Sequence, residues 1–173
     1  QHNLELVPSI GHQPVPALIF SAGRLSPVAI DPAVPHKPYA RLGPHIELDT
    51  GSIPTQIRPG ESLPIDLHWH ALSTPPESYT VFAHLLDEQG HMLAQSDGLP
   101  LKGDYPTNWW ASGEMIEDEH RIKLPPDLPI GSYRIAIGLY RLADNTRLPV
   151  VDDLGQVLPD DQFIWPQVIQ IQN

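Results

Sequence analysis

The residues best suited to chemistry stand together in Asp104-Tyr105-Pro106-Thr107-Asn108-Trp109-Trp110. Aromatic rings stack on the apolar face of a pyranose, while Asn and Asp side chains hydrogen-bond its hydroxyls. Asp104, Tyr105, Asn108, Trp109 and Trp110 are therefore the candidate ligand-binding residues, with a glycan as the ligand. A tryptophan in such a loop can equally serve as a plug for the open end of a β-sandwich.

Nine histidines raise the question of a metal. His68 and His70 share one face of a strand, and zinc could add His84 or His120 to that pair. The pair lies opposite Trp69, on the side expected to be solvated, and the chain has neither cysteine nor a His-Glu-x-x-His motif. No metal and no cofactor are expected. His84 stands between apolar neighbours and reads as a core histidine bonded to backbone or to a carboxylate such as Asp97.

Asp97, Asp104, Glu114 and Asp118 are read in or near loops. Two carboxylates about 5–9 Å apart can run glycoside hydrolysis, but nothing in the sequence brings a pair together. Carboxylates also cap turns and bind calcium. The run Asp152-Asp153 to Asp160-Asp161 lacks Asp-x-Asp-x-Asp-Gly spacing and reads as a solvated acidic turn. There is no Gly-x-Ser-x-Gly elbow, phosphate loop or dinucleotide fingerprint. Arg147 is expected to pair with a carboxylate at a strand end. The chain itself is not expected to be an enzyme.

These residues need a frame, and composition limits what it can be. In 173 residues there are 21 prolines, 12 glycines and no cysteine, with 10 basic against 21 acidic side chains and a formal charge of −11. Such a chain cannot be mostly helical. Its charge argues against nucleic acid and anionic lipid surfaces. No apolar run is long enough to span a bilayer and no signal peptide is read, so the chain as given is expected to be soluble. Prolines at 8, 14, 16, 27, 32, 35 and 38 mark residues 1–40 as an arm or linker, docking by one or two short strands around Ala17–Phe20.

Residues 41–173 read as one domain of alternating strands. Leu63, Ile65, Leu67 and Trp69 alternate with polar residues, as do Ile116, Asp118, His120, Ile122 and Leu124, and later Tyr133, Ile135, Ile137 and Leu139. Tyr79–Leu86 is apolar on both parities, which suits a central strand, and Asp87-Glu88-Gln89-Gly90 turns it into a hairpin. Strands are also read at Arg147–Val151 and at Phe163–Gln172, with Pro166 marking an edge or bulge. Seven or so short strands predict an all-β fold, an antiparallel β-sandwich of immunoglobulin-like or carbohydrate-binding-module-like type.

A train of local motifs runs through this domain. Arg58-Pro59-Gly60-Glu61-Ser62-Leu63 leads to His68-Trp69, then Tyr79-Thr80-Val81-Phe82-Ala83-His84-Leu85-Leu86-Asp87 leads to Ala94-Gln95-Ser96-Asp97-Gly98-Leu99-Pro100. Tyr105-Pro106-Thr107, Trp110 and Gly113-Glu114 follow, and Gly131-Ser132-Tyr133-Arg134, Gly138-Leu139-Tyr140 and Arg147-Leu148-Pro149 close it. Over about 100 residues this resembles the soluble C-terminal module of bacterial multi-pass membrane proteins of the dolichyl-phosphate-mannose protein mannosyltransferase-like class, glycosyltransferase family 39. The resemblance implies a noncatalytic β-sandwich on the extracytoplasmic face of the cell membrane, attached to a membrane-embedded part of the same polypeptide. Trp110 matches the family pattern and is the expected structural plug. Asn108-Trp109 replaces the Ser-Arg common in that family, which makes Trp109 an added, exposed aromatic. No catalytic residue carries over. The alternative is a structural or protein-interaction sandwich with no sugar site.

Overall fold

The computed structural model describes residues 37–173, together with the backbone of two strands at 17–21 and 24–28. The remainder of the proline-rich arm lies outside the described residues.

Alternation decides which side each strand buries. In β6 (Ser62–Ala71), Leu63, Ile65, Leu67 and Trp69 are wholly buried between more exposed neighbours. β9 (Met115–Lys123) buries Ile116, Asp118, His120 and Ile122 in the same way. The two strands pair antiparallel, with Trp69 opposite Ile116, Leu67 opposite Asp118 and Ile65 opposite His120. A slip of one residue would turn either row to solvent, so burial fixes this register. Asp118, read both in this alternating row and near a loop, is a mid-strand residue on the core face.

β6 and β9 are the middle of a seven-stranded sheet. β4 (Ile46–Ser52), β3 (Ala40–Leu42) and β11 (Val150–Asp152) extend it beyond β6, and β1 (Ala17–Ser21) and β2 (Arg24–Val28) extend it beyond β9. The second sheet runs β5 (Gln56–Ile57), β13 (Ile169–Ile171), β10 (Gly131–Tyr140), β7 (Thr80–Leu86), β8 (Met92–Gly98), with β12 (Phe163–Ile164) also on β10. β7 has a strand on either side and buries Val81, Ala83 and Leu85 inward and Phe82 outward. The inner faces of both sheets close over one hydrophobic core, so the fold is an all-β sandwich. Pairing is antiparallel except for β1 with β9 and β5 with β13.

The strand count exceeds seven in part because β3, β5, β11, β12 and β13 are pieces of only two or three residues. The strand expected over Phe163–Gln172 is two strands, divided around Pro166. Proline has no N–H for the ladder and a fixed φ, so pairing stops there. β12 then lies against Ala136 and Ile137, and β13 against Gly131–Tyr133. Likewise Arg147 makes only an isolated bridge to Tyr140, and the strand begins at Val150, just past Pro149.

On the outer face of the second sheet, Phe82 lies across Gly138, where an added Cβ would run into its ring. The Arg147 guanidinium sits 4.3 Å from the centre of that ring. Its Nη1 donates to Asp160 O at 2.8 Å and to Gln162 Oε1 at 3.3 Å. The expected carboxylate partner is therefore replaced by a backbone carbonyl, an amide and an aromatic face.

Candidate functional site

The 104–110 segment crosses one end of the sandwich, and its conformation is set by buried polar contacts. Thr107 is wholly buried, donating its hydroxyl to Glu77 O and accepting from Tyr79 N, each at 2.9 Å. This ties the loop to the chain entering β7. A single 3₁₀ turn over Thr107–Trp109 follows, closed by Trp109 N to Pro106 O at 2.9 Å and Trp110 N to Thr107 O at 3.1 Å.

That turn sends its two tryptophans in opposite directions. Trp110 is fully buried and donates Nε1–H to Tyr105 O at 3.0 Å, whereas Trp109 is 64% exposed. Tyr105 is half-buried, and its hydroxyl donates to Glu114 Oε2 at 2.8 Å. The same carboxylate oxygen accepts Ala111 N–H at 2.7 Å. Burial, then the hydrogen bond and negative charge of Glu114, push the Tyr105 phenol up to about 12. Asp104 and Asn108 face solvent.

Of the five candidate residues, Trp110 thus serves the core and Tyr105 locks the loop. Asp104, Asn108 and Trp109 are presented outward. Sequence reasoning passed over Thr107 and the lock role of Glu114. The usable signal for the first was the Pro106-Thr107 pair ahead of a short turn, since a hydroxyl can satisfy both a donor and an acceptor of a crossing chain. The arrangement offers a ring held by a braced backbone, with Asn108 next to it in the chain and Asp104 at the start of the same segment, both exposed.

The histidines do not converge. His70 Nδ1 lies 3.3 Å from Glu47 Oε2, and the other oxygen of this buried carboxylate pairs with Arg41 at 3.2 Å. The face carrying His70 is therefore largely covered there, contrary to the solvated side expected for the His68–His70 pair. His84 is not a core residue as expected but lies on the outer face of the other sheet, where it meets Asp97 Oδ1 at 3.2 Å, the carboxylate partner expected for it. Burial lowers the His84 pKa, ahead of the opposing pull of Asp97. His120 sits between the sheets and bonds Asp118 Oδ2 at 2.8 Å. Among the described residues no three His, Asp or Glu side chains are grouped so as to hold a metal ion.

The carboxylates are equally dispersed in their partners. Asp97 faces His84, Glu114 holds Tyr105, Asp118 is buried against Trp69 and His120, and Asp104 is exposed. In the acidic loop Asp152 Oδ1 accepts Leu154 N and Gln156 N at 2.9 and 2.8 Å, which is turn capping, and Asp153 pairs with Lys37 at 2.6 Å. A cavity of about 690 Å³ beside this loop is walled by Tyr39, Leu158 and Phe163, and none of its lining belongs to residues 104–110.

Among known proteins, no family model matches the chain and no curated protein matches it in sequence. Among the described residues no helix is long and apolar enough to cross a membrane.

Proposed function

We propose that this chain is a noncatalytic binding module that seats a sugar ring on Trp109. The observation carrying this reading is an indole 64% exposed on a loop whose backbone is fixed by Thr107, Trp110 and the Tyr105–Glu114 bond. Tryptophan is enriched at interfaces, where its apolar body is covered by a partner and its N–H stays free to bond. A braced ring loses little freedom on binding, and a pyranose presents a C–H face to it while Asn108 and Asp104 reach the hydroxyls. The acidic surface disfavours anionic glycans, so neutral units of a glycan or lipid-linked sugar are the ligand class.

The motif resemblance to the module of membrane mannosyltransferase-like proteins supplies the setting. In that setting the domain stands on the extracytoplasmic face of the cell membrane, joined to a membrane-embedded part of the same polypeptide, and holds the glycan or acceptor near it.

Tryptophan fluorescence tests the reading directly. Trp69, Trp110 and Trp165 are all buried, so a ligand on the surface perturbs Trp109 before the others. A saturable shift with neutral oligosaccharides, lost in Trp109→Ala, is the expected result. A flat response to the whole panel would leave a structural or protein-interaction sandwich with no sugar site.

A further inference from the structure

We infer that the cleft between β8 and β9 is a second ligand site, which takes one polyhydroxylated ring through His120, Ser96 and Lys102. It does not depend on the Trp109 platform.

The starting point is a pair of ionisable residues on the core face of β9. The side chains of His120 and Asp118 are only 6% and 1% exposed. Asp118 is fully used: Oδ2 accepts Trp69 Nε1–H at 3.2 Å and Oδ1 accepts Leu101 N–H at 2.9 Å. Both of those groups can only donate, so each carboxylate oxygen acts as an acceptor, and His120 Nε2 completes the set as a donor at 2.8 Å. In the neutral imidazole this fixes the proton on Nε2 and leaves Nδ1 as an acceptor. Nδ1 has no partner among the described residues. It is not sealed from solvent and so opens into the adjoining cleft.

His120 lines a cavity of about 360 Å³ with Ser96, Asp97, Gly98, Leu99 and Lys102. Its size is within the roughly 300–1,000 Å³ of small-molecule sites. Lys102 reaches that wall because Leu101 and Lys102 both adopt left-handed backbone, φ 50° and 58°. Two such residues in succession, neither of them glycine, are disfavoured, and such strain gathers at functional sites. The Leu101 N–H bond to Asp118 helps hold this turn. One carboxylate thus positions both the histidine and the lysine. The Lys102 ammonium has no partner among the described residues.

The chemistry of the wall selects the ligand. His120 Nδ1 accepts, Lys102 donates, and the Ser96 hydroxyl does either, while the Asp97 carboxylate is turned away to His84 on the outer face. Glu119 and Arg121 at the rim pair with each other. An anion would face the lone pair of His120 Nδ1 and a cation would meet Lys102, whereas a ring of hydroxyls satisfies both, with Leu99 against its C–H face. The space holds one such ring.

Long-range ¹H–¹⁵N spectra of the histidine imidazoles, recorded while methyl α-mannoside, methyl β-glucoside and methyl β-galactoside are titrated in turn, test the site. The expected result is a saturable shift of His120 Nδ1 with at least one of them. Ser96→Ala and Lys102→Met each should weaken that binding about five- to tenfold, the loss of one hydrogen bond. Trp109→Ala should leave it unchanged, and inorganic phosphate should not compete. Both weakening variants alter partly or wholly exposed side chains, so they report even if His120→Asn does not fold. No Nδ1 shift with any of the three glycosides overturns the site. A shift untouched by Ser96→Ala and Lys102→Met also overturns it, and one abolished by Trp109→Ala moves the sugar to the platform.

Discussion

The hydroxyl of Tyr105 lies 2.8 Å from Glu114 Oε2, and that oxygen is also 2.7 Å from the backbone nitrogen of Ala111. One carboxylate therefore ties the entry of the 104–110 segment to its exit. Tyr105→Phe removes one of the two ties and costs about 1–2 kcal/mol. Urea unfolding should show that loss, and the emission anisotropy of Trp109 should fall as its backbone loosens. A variant with unchanged anisotropy would mean that the turn alone braces the indole.

The same bond gives the fold an alkaline weakness. Burial comes first among the causes that raise the phenols of Tyr79, Tyr105, Tyr133 and Tyr140 in the folded chain, with Tyr105 reaching about 12. A raised folded pKa adds stability that is complete below the unfolded value near 10 and is lost as pH climbs through the folded one. Stability should therefore be flat up to about pH 10 and fall above it. Phenolate absorbance near 295 nm and circular dichroism, followed together, should change in a single step.

At the acid end His84 acts in the opposite sense. Burial lowers its pKa below the ordinary 6.5, with Asp97 opposing. The unfolded chain then takes up the proton first, so this contribution is present above 6.5 and is lost as pH falls through the lower folded value. Stability measured from pH 8 down to 5 should fall less steeply in His84→Gln than in the natural chain. Equal slopes would show that His84 is not the group titrating.

Trp69→Phe keeps most of a large buried ring and deletes the Nε1–H that reaches Asp118 at 3.2 Å. The carboxylate stays buried with one donor fewer, a loss of about 1–3 kcal/mol. Because Asp118 also holds Leu101 N–H, amide exchange at Leu101 should accelerate by more than at Ile122, which shares β9 with Asp118. Uniform acceleration would indicate general loosening.

Gly138→Ala places a methyl group where the Phe82 ring now lies. Overpacking of this kind costs about 1–3 kcal/mol. The displaced ring would also leave its place beneath Arg147, 4.3 Å away, so loop 160–162 should become more protease-sensitive. Pairing Gly138→Ala with Phe82→Leu should recover part of the loss.

Much of this frame was legible as alternation. The rows Leu63 to Trp69, Ile116 to Leu124 and Tyr133 to Leu139 each name a buried face, because a strand offers only two sides. The His84–Asp97 contact could also be anticipated, since an imidazole flanked by apolar residues needs a partner. Alternation could not say that Asp118 and His120 lie beside an open cleft, because that depends on where β8 ends relative to β9. Nor could it divide Phe163–Gln172, since Pro166 announced an irregularity without saying which part of β10 each half would meet. In the loop, Trp109 and Trp110 are chemically identical neighbours. The 3₁₀ turn that points one inward and the other outward depends on Thr107 being anchored 30 residues back, at Glu77.

The order of strands at the sheet edges has a consequence for a severed chain. β3 pairs with β11, and β5 with β13, so each sheet is sewn shut by one early and one late piece of sequence. The exposed stretch around Leu154 and Gly155 lies between those late pieces. A cut there would leave β11 on the first fragment and β12 and β13 on the second, and the second would stay clasped between β5 and β10. The two fragments would behave as complementary halves of one fold, able to find each other again after separation, which makes this loop a natural place to split the protein into a reporter pair.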